Sequence, residues 1–98
     1  MENLATDKSF WKSKNVLVTG HTGFKGGWLC LWLNLLGANV DGFSLKPKKE
    51  NEFYLKVFKD RFPGEEKFSD INDIKALSGF IKSQRPEIIF HLAAQPLV

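Results

Sequence analysis

The chain has 98 residues, 43% of them hydrophobic and 13% aromatic, which is enough to build a core and excludes a disordered segment. Its 14 basic and 11 acidic residues leave a formal net charge of +3, and the brief cluster Lys46, Lys48 and Lys49 reads as a solvated loop, not a nucleic-acid surface. The single cysteine excludes an internal disulfide and, with two distant histidines, offers no metal-ligand spacing.

The amino end lacks the basic-then-apolar pattern of a signal peptide, and no apolar run approaches about 18 residues, so a cytoplasmic protein with no membrane attachment is expected. Residues 1–13 are polar apart from Leu4, Phe10 and Trp11, and the last two are expected to cover one end of a sheet. Val16, Leu17 and Val18 are apolar on successive positions, as in a central strand of a parallel sheet covered on both faces. Thr19 and Gly20 end that strand. Gly20, Gly23 and Gly26 then follow at three-residue spacing before an apolar helix over residues 24–36. The pattern is not the phosphate loop G-x-x-x-x-G-K-[ST], because Lys25 follows Phe24 and precedes Gly26, which disfavours a nucleoside triphosphatase. Between a strand and a helix, glycines so spaced supply a tight reversal, close backbone approach to a pyrophosphate, and helix packing on the sheet. The free N–H groups and dipole at the helix start favour an anion there. The turn therefore reads as a dinucleotide site.

The helix carries Trp28, Leu29, Leu31, Trp32, Leu33, Leu35 and Leu36 and is expected to be buried on more than one face. Cys30 within it reads as a buried, inert thiol. Gly37 is placed as a left-handed cap, and Asn39–Ser44 as the second strand. A carboxylate at the end of that strand would bond the adenosine ribose and repel a 2′-phosphate. Ser44, with Lys46 beyond it, can serve a hydroxyl or a phosphate, and Asp41 falls on the opposite face. Pro47 breaks the chain, after which Phe53, Val57, Phe58 and Phe62 suit one face of a short helix. Residues 67–69 are expected as the third strand, and Asp73 as the N-cap of a helix bearing Ile74, Leu77 and Ile81. Asp70 then stands at the carboxyl edge of the sheet, where its carboxylate can accept from an adenine amino group. Residues 87–92 read as a fourth buried strand with His91 as a satisfied core residue, and the small Ala93 and Ala94 after it leave room for a flat ring and a ribose. Right-handed crossovers put the strands in the order 3-2-1-4, the first half of a Rossmann-type doubly wound α/β sheet. Such a half leaves the fourth strand at an unprotected edge, so the chain is expected to be the N-terminal part of a longer NAD-binding domain.

The residues TGHTGFKG from Thr19 to Gly26, Asp70-Ile71, and HLAAQ from His91 to Gln95 resemble the cofactor half of the extended short-chain dehydrogenase/reductase superfamily. More narrowly, VTGHTGFKGGWL, the Phe10-Trp11 lead-in and HLAAQPLV resemble the nucleotide-sugar 4,6-dehydratases that act on CDP-glucose, in which lysine replaces the usual Ile or Val at the position of Lys25. The resemblance covers almost the whole chain and is weakest over residues 48–68.

It implies a lyase in which bound NAD takes a hydride from C4 of the glucosyl ring, water leaves across C5 and C6, and the hydride returns at C6. The product is CDP-4-keto-6-deoxyglucose, a precursor of deoxysugars. The resemblance also implies that Gly20, Gly23, Phe24, Lys25 and Gly26 hold the pyrophosphate, with Thr22 among them in contact with the cofactor. Ser44 and Lys46 meet the ribose, Asp70 and Ile71 bracket adenine, and Leu92, Ala93 and Ala94 line the path to the nicotinamide. Gln95 and Pro96 approach the sugar, and the full-length protein is a homo-oligomer. The Tyr-x-x-x-Lys pair by which such enzymes remove a hydroxyl proton is absent, since Tyr54 is the single tyrosine and Phe58 stands four residues on. This segment alone is therefore expected to be inactive. A related epimerase or reductase would share this front half, as would a non-catalytic dinucleotide sensor.

Overall fold

The computed structural model describes residues 8–93. In chain order its elements are α1 (Lys8–Trp11), β1 (Asn15–Thr19), α2 (Phe24–Leu35), β2 (Asn39–Ser44), α3 (Glu52–Val57), β3 (Glu66–Phe68), α4 (Ile74–Gln84) and β4 (Ile88–His91). The strands form one parallel sheet in the order β3-β2-β1-β4, the predicted Rossmann-like half. β1 is central, with Val16 opposite Val40 and Ile88, and Val18 opposite Gly42 and Phe90.

Strand parity divides the core. Val16, Val18 and Val40 point to the face covered by Trp11, by Cys30, Leu33 and Leu36 of the α2 region, and by Tyr54, Phe58 and Phe62. Leu17 and Phe43 point to the other face, where the Phe43 ring lies 6.1 Å from Phe80 of α4. Val16, Leu17 and Val18 are fully buried, so the uninterrupted apolar run of β1 reflects cover on both sides. Each such side chain contributes about 1.5–3 kcal/mol by leaving water. Trp11 packs against Phe10 and lies 6.3 Å from Phe90, which places the amino-terminal aromatics at the β4 side of the sheet. Leu4 lies outside the described residues.

Several expectations need correction. α2 is buried along one stripe, Gly26, Gly27, Cys30 and Leu33, whereas Phe24, Trp28, Trp32 and Leu35 are 64%, 50%, 40% and 66% exposed. A helix laid on a sheet offers it one stripe; on the outer side, Phe53 of α3 stacks on Trp28 at 5.4 Å and covers only part of the rest. α3 turns Tyr54 inward, with Phe58 and Phe62 following it at four-residue steps, and Val57 is exposed. The phenol of Tyr54 is drawn in by a hydrogen bond to Glu66, which an apolar pattern does not register. Asp73 caps α4 as expected, accepting from the Ala76 N–H at 3.0 Å. Its inward stripe is Leu77, Phe80 and Ile81, however, and Ile74 in the first turn is exposed, because Phe80 seats on Phe43. β3 begins at Glu66, and β4 is half-buried, since among the described residues it pairs with β1 alone.

Cys30 is completely enclosed, and burial pushes its thiol far above the ordinary range. We expect the Cys30 peptide to stay unlabelled when the native full-length chain is alkylated and then digested, and to label fully in denaturant. Rapid native labelling would show that the α2–sheet contact opens.

Candidate functional site

β1 runs out at Thr19, and the backbone reverses at Gly20 with φ +78°, the left-handed region where a side chain is strained. Space is also closed there: a Cβ on Gly20 would stand 2.8 Å from the Ala93 nitrogen and 2.9 Å from the Leu92 carbonyl carbon. The Gly20 N–H donates to the Phe43 carbonyl at 2.8 Å, and its own carbonyl accepts from Gly23 at 3.1 Å, so the reversal is tied to β2 and to itself. On the far side of the turn, a Cβ at Gly26 would overlap the Gly20 carbonyl, and only glycine lets α2 start this close to the sheet. Gly23 differs. A Cβ there would meet the Gly20 carbonyl at 3.4 Å and otherwise open space. Gly23 caps α2 with extended backbone and no side-chain hydrogen bond, and no acidic residue stands in the first turn. Among the described residues the first-turn amides of α2 thus receive no side-chain cap at the end where the helix dipole favours an anion.

Polar side chains fix the two flanks. The buried Thr19 hydroxyl accepts from the N–H groups of Leu92 at 3.1 Å and Ala93 at 3.2 Å. With both lone pairs taken, its own proton goes to Nδ1 of His91 at 2.9 Å. His91 is therefore exposed and bonded at the strand end, not enclosed in the core as its apolar neighbours had predicted. On the other flank the Thr22 and Ser44 hydroxyls pair at 2.8 Å, joining the glycine turn to the end of β2.

Between the flanks lies a cavity of about 470 Å³ at the carboxyl edge of the sheet. Gly20, Thr22 and Gly23 form its base, Ser44, Lys46, Lys48 and Asn51 one wall, Asp70, Ile71 and Asn72 a second, and Leu92 and Ala93 a third. Of the residues expected at the site, nine meet there: Gly20, Thr22, Gly23, Ser44, Lys46, Asp70, Ile71, Leu92 and Ala93. Asp70 holds an Asx turn, its Oδ1 accepting from the Asn72 N–H at 2.8 Å. Gly26 lies behind the turn, and Lys25 is exposed on α2 outside the cavity lining. Phe24 borders an adjacent cleft with Thr22, Asn51 and Phe53. Ala94, Gln95 and Pro96 lie outside the described residues. Asp41 stays off the cavity: its carboxylate accepts from the Glu65 N–H at 2.9 Å, and burial raises its pKa against that bond.

Sequence reasoning missed Thr19 as the brace of β4, and Lys48 and Asn51 as wall residues of the loop after Pro47. A threonine at the end of a buried strand was the available signal for Thr19. It also missed His21. This side chain is fully buried, and its Nε2 lies 2.8 Å from Glu66 Oε2. Burial lowers its pKa, opposed by the Glu66 carboxylate and the Phe43 carbonyl.

A parallel half-sheet with a glycine reversal and a cavity at its carboxyl edge defines a Rossmann-like α/β protein. Residues 16–98 match the model of the NAD dependent epimerase/dehydratase family, and the chain belongs to that family. It is 48% identical over 93 residues to the CDP-glucose 4,6-dehydratase of Salmonella typhimurium (strain LT2), covering 94% of this chain and 25% of that protein. An epimerase from Methanothermobacter thermautotrophicus superposes with a TM-score of 0.73 at 30% identity, over 95% of this chain and 26% of its own. A UDP-glucose-4-epimerase from Stenotrophomonas maltophila, solved with NAD and formylated UDP-arabinopyranose, shares the fold at a TM-score of 0.67 and 23% identity, over 87% of this chain and 26% of its own. The chain thus spans about a quarter of the length of these relatives. Among the described residues no helix is long and apolar enough to cross a membrane.

Replacing Thr19 by valine keeps the shape and removes the acceptor of the Ala93 N–H, while the Leu92 N–H, shared between the hydroxyl and the Thr19 carbonyl at 3.1 Å, keeps the carbonyl. We expect a loss of about 1–3 kcal/mol in denaturant unfolding of the full-length chain, largely restored by Thr19→Ser. Equal stability of all three forms would show that Thr19 does not brace β4.

Proposed function

We propose that the cavity holds NAD and that this chain is the cofactor-binding part of a nucleotide-sugar 4,6-dehydratase acting on CDP-glucose. The observation that carries the cofactor reading is the glycine turn: it is closed by backbone at Gly20 and Gly26 and open at Gly23, beside uncapped amides of α2. That asymmetry fits a diphosphate, which needs close backbone approach on one side only. Backbone N–H groups of residues 23–26 would hold the pyrophosphate. Ser44, whose hydroxyl retains bonding capacity beside Thr22, and Lys46 would meet the ribose. Asp70 and Ile71 would hold adenine, and Leu92 and Ala93 would guide the nicotinamide half along β4. NAD, when bound, supplies the acceptor and donor of a hydride.

The described residues bind and orient; they do not move the substrate proton. Tyr54 is buried, donates to Glu66, and has its pKa raised by burial and by that carboxylate, so it is unsuited to act as a base. The choice of CDP-glucose is supported by the 48% identity to the Salmonella protein. A cytoplasmic homo-oligomer goes with that reading. An epimerase using the same cofactor half is the second reading, favoured by the 30% identity to the methanogen epimerase.

Incubating the full-length chain with NAD and CDP-glucose separates the two by mass. We expect loss of one water from the sugar nucleotide; a product of unchanged mass would mark the epimerase. Gly23→Val places a side chain on the open side of the turn and should abolish NAD binding in calorimetric titration, whereas unchanged affinity would refute this placement. Ser44→Asp sets a carboxylate beside the expected ribose. The ratio of NADP to NAD dissociation constants should rise, and an unaltered ratio would remove Ser44 from that position.

A further inference from the structure

The glycine turn carries a buried imidazole that cofactor contacts do not use. His21 adjoins Thr22, but its ring turns away from the cavity into the layer between the sheet and α3, where it is fully enclosed. It lies flat against β2 at Gly42: a Cβ there would overlap the ring, so the glycine inside this strand is the space that the imidazole fills. The rings of Tyr54, Phe62 and Phe68 surround it at 5.6, 5.0 and 5.9 Å. Its side-chain hydrogen-bond partner is Glu66 on β3, and Glu66 Oε2 also accepts from the Tyr54 hydroxyl of α3. The carboxylate thus gathers two buried donors, and the Nδ1 of His21 has no hydrogen-bond partner among the described residues. The Nε2–H tautomer follows from that arrangement.

Each of the three members lies within three residues of one that lines the cavity. Thr22 follows His21 directly, Asn51 lies three residues before Tyr54, and Ser69 lies three residues after Glu66; all three line the cavity. We infer that His21, Glu66 and Tyr54 form a buried polar junction that sets the spacing of the cavity walls, which makes His21 a positioning residue for the adenosine half of the cofactor. This rests on the NAD reading above. Geometry distinguishes the junction from ordinary packing. Aromatic burial alone would be met by phenylalanine, whereas two donors converging on one carboxylate oxygen fix the relative placement of turn, helix and strand.

Glutamine at position 21 can carry a donor to the place of Nε2, and asparagine cannot, while both lose the ring. In calorimetric titration of the full-length chain with NAD, we expect His21→Asn to weaken binding about tenfold, and His21→Gln to recover most of that loss. Equal affinities for the two variants would reduce His21 to packing and overturn the inference. Tyr54→Phe keeps the ring and removes only the phenol donor, which guards against a failure of the position-21 variants to fold. It should weaken binding about threefold, and wild-type affinity in this variant would contradict the junction. Wild-type protein that binds no NAD would overturn the cofactor reading and this inference together, whereas NAD binding that is indifferent to all three variants would overturn the inference alone.

Discussion

The structure depends on how closely three backbone segments approach at the end of β1. Gly20 touches the chain leaving β4, and Gly26 at the start of α2 touches Gly20, so no side chain fits on either. This crowding has a directional consequence. It brings the amino end of a twelve-residue helix against the carboxyl edge of a parallel sheet, and it leaves the outer side of Gly23 open. An anion at that place meets main-chain donors and the positive end of the helix dipole without displacing any side chain.

Crowding alone does not define a cavity; its flanks must be held apart. Thr19 saturates its hydroxyl in bonds to the end of β4, and Thr22 reaches across to Ser44 at the end of β2. These are short polar ties on buried or half-buried atoms, where a lost partner leaves a donor unsatisfied. Deeper in the layer, the carboxylate of Glu66 collects His21 and Tyr54. Polar groups therefore connect the apolar core to the rim of the cavity at three levels, and each of them involves the turn or a residue beside it.

The turn could be read from sequence because it rests on local chemistry, a fully apolar strand followed by glycines at fixed spacing, and the strand order because right-handed crossovers between parallel strands leave few alternatives. The cavity walls were readable where they fall at strand ends, as with Ser44, Asp70 and Ala93. Burial of α2 was not, because hydrophobicity reports that a face is apolar and not what covers it; Trp28 and Leu35 remain half or more exposed. The inward face of α3 was misplaced for a related reason. Tyr54 is turned in by Glu66, twelve residues away, and a periodicity argument counts tyrosine as a weaker apolar residue. His91 departs from its expected core position, and His21 was not singled out at all. The histidine within an apolar strand is exposed at the edge, and the one in the glycine turn is enclosed, since Gly42 on a neighbouring strand provides its space.

The most direct test is to follow backbone amide resonances of the full-length chain as NAD is added. Main-chain binding at the mouth of α2 predicts the largest shifts at Gly23, Phe24, Lys25 and Gly26, with further shifts at Asp70 and Ile71. Saturating NAD that leaves the amides of residues 23–26 unmoved would contradict the placement of a diphosphate in this turn.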